Sequence, residues 1–160
     1  MSKFIRCHLV EAKPMTRGAY NKKRGWTVPA NENPKDKGYI VKYPDGYVSW
    51  CPKAQFEAAG RPVDGMTFGM AIEAMKQGKK VARAGWNGKG MWLCIPLVEG
   101  PREVPSTVIW GKPNTKYAVE NGGSVKVMPY ITMKAADGSI VIGWLASQTD
   151  MLSDDWVIVD

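Results

Sequence analysis

The chain has 160 residues, with 22 Lys or Arg against 15 Asp or Glu and a formal net charge of +7. With 44% hydrophobic and 23% charged residues it has the composition of a globular protein, which excludes wholesale disorder and fibrous repeats. No apolar run reaches the ~20 residues of a membrane span, and the N-terminal residues lack the apolar stretch of a secretory signal, so the expectation is a protein that stays where it is made.

The charge is unevenly spread. Residues 1–63 carry 12 Lys or Arg against 5 Asp or Glu, whereas residues 64–160 carry 10 of each. Two modules are expected, a small basic one at 1–63 and a core at 64–160. The cluster Gly60-Arg61-Pro62-Val63-Asp64-Gly65 marks the join.

In the first module Cys7–Ala12 has the pattern of a strand and is followed by a basic segment, Thr16–Trp26. Tyr39–Pro44 and Tyr47–Trp50 flank Asp45-Gly46, whose tolerance of positive φ predicts a tight hairpin. Pro52 and Gly60 bracket a two-turn helix at Lys53–Ala59.

The second module opens with a helix. Thr67 is its N-cap, Phe68, Ile72 and Met75 recur at helical spacing, and Gly78 supplies the left-handed residue that ends it. Strands at Lys80–Trp86 and Lys89–Ile95 are expected to join at Asn87-Gly88, and strands at Tyr130–Lys134 and Ile140–Trp144 at Asp137-Gly138. A last strand, Trp156–Val159, follows the turn Thr149–Asp155. Residues 97–128, rich in Pro, Gly and Asn, read as one long connection. The fold class is therefore α+β: an antiparallel sheet with one main N-terminal helix in the core module, preceded by a small α+β module.

Cys7, Cys51 and Cys94 are odd in number and far apart, so we read them as reduced thiols. Adjacent Cys7 and His8 would make an awkward chelate, and no metal and no cofactor are expected. His8 is the sole histidine and lies beside no nucleophile motif. Asp150, Asp154 and Asp155 keep carboxylate catalysis open, against the plainer reading that they cap and solvate a turn.

Trp86 stands before Asn87-Gly88, with Arg83 three residues earlier. A ring in such a place either stacks a nucleobase, with the guanidinium on phosphate oxygens, or seals a core edge; both readings stay open. Ser147-Gln148-Thr149-Asp150 likewise suits either a helix cap or the hydroxyls and base edge of a nucleotide.

The blocks Met66–Met91, with "GWNGKGM", and Pro129–Lys134, with "WLASQTDML" at 144–152 and Asp155-Trp156, resemble the second Thoeris anti-defence family of bacteriophages. The resemblance implies a small α+β protein that assembles as a homotetramer. It implies a sponge that binds, without cleaving, a TIR-made cyclic ADP-ribose nucleotide (glyco-cyclic ADP-ribose) in the cytoplasm of the infected host. Cyclic dinucleotides are implied as a further ligand class at separate sites.

The roles the resemblance implies fall on Trp86 as the adenine stack, Arg83 at the pyrophosphate, and Asn87, Gly88, Ser147, Gln148, Thr149 and Asp150 along ribose or base edges. Phe68 and Trp144 would be walls. Met70 departs from the Glu expected three residues after the Thr67 cap, which weakens the capping box.

Two other functions are carried beside this one: a phosphodiesterase or glycohydrolase acting on the same nucleotide, and a basic nucleic-acid-binding module. "PMTRGAYNKKRGW", "GYIVKYPDGYVSW" and "CPKAQFEAA" resemble a small domain of phage and prophage proteins, a likeness that transfers no activity. A solvated basic face is the plainer reading of that module, and no nucleic-acid partner is expected.

Overall fold

The computed structural model describes residues 7–88 and 90–159, and the chain divides into two compact units, Met1–Pro62 and Val63–Asp160. The first is built from β1 (Glu11–Thr16), α1 (Arg17–Arg24), β2 (Lys37–Lys42), β3 (Val48–Pro52) and α2 (Lys53–Ala59). Its strands form an antiparallel sheet of order β1-β2-β3.

The first strand is displaced from the expected Cys7–Ala12 to Glu11–Thr16, and the basic segment after it is a helix. Thr16 explains both: its hydroxyl accepts the Ala19 N–H and starts α1, which Gly25 ends at φ 70°. Pro14 is tolerated because β1 is an edge. Three basic residues, Lys22, Lys23 and Arg24, occupy the last turn of α1, where they oppose the helix dipole.

Trp50 anchors this unit. Its indole Nε1–H donates to the Met15 carbonyl at 2.8 Å, and Arg17 lies 5.1 Å above its ring. Gly38 is required beneath it, since a Cβ there would run into the Trp50 ring and the Cys51 carbonyl. Tyr39 stacks on Phe56 of α2 at 4.4 Å. The Asp45-Gly46 turn is present, with Gly46 at φ 83° and the Asp45 carboxylate accepting the Tyr47 N–H.

The second unit contains α3 (Phe68–Lys76), β4 (Lys80–Arg83), β5 (Trp92–Cys94), β6 (Arg102–Pro105), α4 (Lys112–Glu120), β7 (Ser124–Val127), β8 (Thr132–Lys134), β9 (Ile140–Ile142), α5 (Gln148–Met151) and β10 (Trp156–Val159). The main sheet is antiparallel with order β10-β4-β5-β8-β9. Thr67 caps α3 through the Met70 N–H, and Gly78 follows the helix at φ 76°. Met66, Ala71, Ala74, Met75, Val81, Leu93 and Trp156 form the buried core between α3 and the sheet. Truncating a fully buried ring such as Trp156 costs about 3–5 kcal/mol.

Two expectations are corrected. Residues 97–128 are not a plain connection: β6 and β7 pair as a ribbon of their own, and α4 lies between them. The Gly- and Pro-rich composition concealed this, because both glycines at 122–123 have positive φ and simply make the turn into β7. The second correction concerns Asn87-Gly88, which does not form a two-residue hairpin. β4 ends at Arg83, β5 begins at Trp92, and Val81 opposite Leu93 is their registered pair. The chain past Arg83 is instead held toward β10: the Ala84 N–H donates to the Asp155 carbonyl and the Gly85 N–H to the Asp155 carboxylate, both at 2.9 Å. Lys89 of the expected strand lies outside the described residues.

The two edges of the main sheet differ. β10 is covered on its outer side by residues 63–66, through paired hydrogen bonds between Met66 and Trp156 and one from Ile158 to Val63. β9 has no such cover among the described residues, and Ile140, Val141 and Ile142 are all exposed.

Candidate functional site

Arg83 ends β4 opposite Trp156, so its side chain reaches the turn that precedes β10. Its Nε–H donates to Asp155 Oδ1 at 2.8 Å, Nη2 to Asp155 Oδ2 at 3.4 Å, and Nη1 to Asp150 Oδ1 at 3.0 Å. The guanidinium is largely buried, with 15% of the side chain exposed. Its hydrogen bond to Asp155 raises it above the ordinary arginine value, and the same bond, helped by the Gly85 N–H, holds the Asp155 carboxyl below the usual range.

Asp150 joins the pieces. Burial works against its charge, yet bonds from Ser147, Arg83 and Trp86 hold its carboxyl below the usual range. Oδ1 takes Arg83 and the Trp86 indole N–H at 3.3 Å, while Oδ2 takes the Ser147 hydroxyl at 2.7 Å and its backbone N–H at 3.2 Å. The Ser147 hydroxyl in turn accepts the Asp150 N–H, which closes a capping box at the start of α5. The Asp150 carbonyl accepts the Trp156 indole N–H at 2.9 Å.

Above this ionic frame sit four rings. Trp86 meets Trp156 edge-on at 5.5 Å and Trp144 at 6.2 Å, and Phe68 lies 5.2 Å from Trp156 and 6.4 Å from Trp144. Trp156 is fully buried, whereas Phe68, Trp86 and Trp144 are half-buried around it. Edge-to-face contact leaves part of each outer ring available to something else.

The structure thus gathers Phe68, Arg83, Trp86, Trp144 and Asp150 into one cluster. Ser147 is spent on the cap. Asn87, Gln148 and Thr149 are exposed, and their side chains make no hydrogen bond among the described residues. Gly88 is half-buried because the Met91 side chain lies where a Cβ would project. In the sequence Asp155 reads as one of three aspartates that either cap a turn or keep carboxylate catalysis open, not as a partner of Arg83; the signal for that pairing is Arg83 itself, since a buried guanidinium needs more than one carboxylate oxygen.

Three of the five guanidinium donors of Arg83 are occupied, and two carboxylates surround it. It is the organiser of this site. Beside its two remaining donors, the unbonded side chains of Asn87, Gln148 and Thr149 add further polar groups.

The cluster falls within a segment, residues 66–159, that matches the family model described as the Thoeris anti-defense 2-like domain. The chain belongs to that family. It is 34% identical over 102 residues to the protein named Thoeris anti-defense 2 of Bacillus phage SP01, an alignment spanning 59% of this chain and 94% of that relative. Membership places the chain among the Thoeris anti-defence proteins, and the matched segment holds every residue of the cluster. Among the described residues no helix is long and apolar enough to cross a membrane.

Proposed function

We propose that this protein counters Thoeris immunity in the infected cell by sequestering, without cleaving, a TIR-made cyclic ADP-ribose nucleotide of the glyco-cyclic kind. The observation that carries this reading is Trp86: a half-buried indole, locked by Asp150 and backed by Trp144 and Trp156, beside the unbonded polar groups of Asn87, Gln148 and Thr149. The indole stacks the purine, Phe68 and Trp144 wall the pocket, and the three polar side chains meet ribose hydroxyls and base edges. Arg83 contributes by fixing Trp86 and α5 through Asp150, and its remaining donors face the linkage phosphates.

A sponge must work at nanomolar to low micromolar levels, about −8 to −12 kcal/mol, and one base stack supplies about 1–3 kcal/mol. More surface has to close on the ligand, which favours a pocket shared between copies of the chain. The uncovered β9 edge, together with Leu145 at 89% and Leu152 at 83% exposure, supports self-association, and the resemblance favours a tetramer. Catalysis by Asp150 and Asp155 fits poorly, because the Arg83 guanidinium, the Trp86 indole, the Gly85 amide and the Ser147 cap already occupy their carboxylate oxygens.

The test is direct. The protein is incubated with excess cyclic ADP-ribose isomer, washed, denatured, and the released material analysed. Intact nucleotide in stoichiometric amount is expected; a hydrolysed product, or no retained nucleotide, overturns the reading. Cyclic dinucleotides run in parallel test the second ligand class.

A further inference from the structure

Among the described residues, every exposed large apolar side chain belongs to the second unit, Trp26 and Tyr47 excepted. Two groups of them differ in shape. Leu145 and Leu152 stand on either side of α5 and are the two most exposed of all.

The other group lines a groove. β7 alternates half-buried Val125 and Val127 with exposed Lys126, so both valines face one side of the β6-β7 ribbon. α4 lies against β7 and presents Asn114 and Tyr117, three residues apart on one helix face. Ile109 and Trp110 complete a cavity of about 230 Å³ between these elements. The Asn114 amide donates to the Trp110 carbonyl at 3.0 Å and the Thr115 hydroxyl to the Ile109 carbonyl at 3.3 Å, which pins residues 109–110 to the helix. No lining side chain is charged at neutral pH, and the Trp110 and Tyr117 rings are 51% and 56% exposed.

A groove of rings and methyl groups without counter-charge suits an aliphatic side chain and not a phosphate. Leu145 and Leu152 are aliphatic, and their exposure shows that they do not fill the groove of their own chain. Charge points to a second copy as the occupant. Residues 64–160 carry 10 charges of each sign, so two such units approach without net repulsion.

We propose that Leu145 and Leu152 of one copy seat in the groove of Ile109, Trp110 and Tyr117 of a second copy, and that the exchange is reciprocal about a two-fold axis. Made twice, the contact takes both leucine pairs and both grooves out of water. Its consequence for the site rests on the nucleotide reading above. The two leucines bracket Gln148 and Thr149, so the element β6-α4-β7 of the neighbour that covers them also roofs those polar groups, and the nucleotide site is incomplete in a single chain.

Sedimentation equilibrium of the full-length protein without nucleotide, over a range of concentrations, tests the contact. Leu152→Asp and Tyr117→Lys, both on exposed side chains, are each expected to raise the subunit dissociation constant at least tenfold, with circular dichroism unchanged. In a one-to-one mixture, one side of the pair keeps leucine on tyrosine and the other sets aspartate against lysine, so most of the loss should be recovered. A parent that stays monomeric, variants that associate like the parent, or a mixture no tighter than either variant alone overturns the contact. Particles that grow with concentration without a limiting mass overturn the two-fold exchange.

Retention of the cyclic nucleotide, measured on the same samples, is expected to fall in each variant and to return in the mixture. Variants that dissociate yet retain nucleotide like the parent overturn the roof over α5. A parent that assembles through these residues but retains no nucleotide sinks the nucleotide reading and leaves the contact standing.

Discussion

Arg83 and Asp155 form a two-pronged ion pair, Nε to Oδ1 at 2.8 Å and Nη2 to Oδ2 at 3.4 Å, that joins the end of β4 to the residue preceding β10. The third prong, to Asp150 at 3.0 Å, brings in α5. Replacing Arg83 with Met leaves two carboxylates facing each other in a partly buried site. The expected loss is about 3 kcal/mol, and Arg83→Lys, which keeps charge but not the fork, should lie between it and the parent. Urea unfolding monitored by tryptophan fluorescence checks this; a variant as stable as the parent would show the pairs to be energetically idle.

The same groups set the acid limb of stability. Asp150 and Asp155 have folded-state pKa values below their unfolded ones, so their contribution is complete above the ordinary carboxylate range near 4 and is lost as pH falls below it. Melting temperature is expected to hold from neutral pH to about 5 and to drop below about 4, with Asp155→Asn starting lower and dropping less. Parallel curves for parent and variant from pH 6 to pH 2 would contradict the assignment.

Trp86 needs two variants because it packs as well as presents a face. Trp86→Ala opens a gap against Trp144 and Trp156 and should lower stability by about 2–4 kcal/mol along with ligand retention. Trp86→Phe keeps an aromatic face while deleting the donor to Asp150, and is expected to retain most of the stability and to bind cyclic ADP-ribose isomers about tenfold more weakly. Calorimetry on both separates stacking from packing; unchanged affinity in both would remove Trp86 from the site.

The β9 edge predicts assembly. Val141→Lys places a charge in an exposed row of Ile140, Val141 and Ile142 without touching the core. Light scattering should report a smaller particle than the parent, and nucleotide retention should fall with it if copies share the pocket. An unchanged mass would locate any interface elsewhere.

Much of this architecture was legible where a single residue type answers to a single local constraint. Thr67 and Gly78 bounded α3, Pro52 and Gly60 bounded α2, and Asp45-Gly46 and Asp137-Gly138 turned their hairpins, because caps and positive-φ turns are decided within a few residues. Trp86, Trp144 and Phe68 come together as side chains only through the roles the family resemblance implies, and in the fold Trp144 does meet both Trp86 and Phe68. Asn87-Gly88 misled because Asp155, nearly seventy residues on, outcompetes the local turn for the amides of Ala84 and Gly85. The ribbon and helix within 97–128 were hidden for a related reason: β6 and β7 are only four residues each, and they make sense only paired with each other.

Asp150 answers to a hydroxyl and a backbone amide on one oxygen and to an indole and a guanidinium on the other. These four donors come from two stretches of chain, Arg83 with Trp86 and Ser147. Exchanging this one carboxylate would therefore strip a partner from the serine, the indole and the arginine at once, so the helix cap and the setting of the ring rise or fall together.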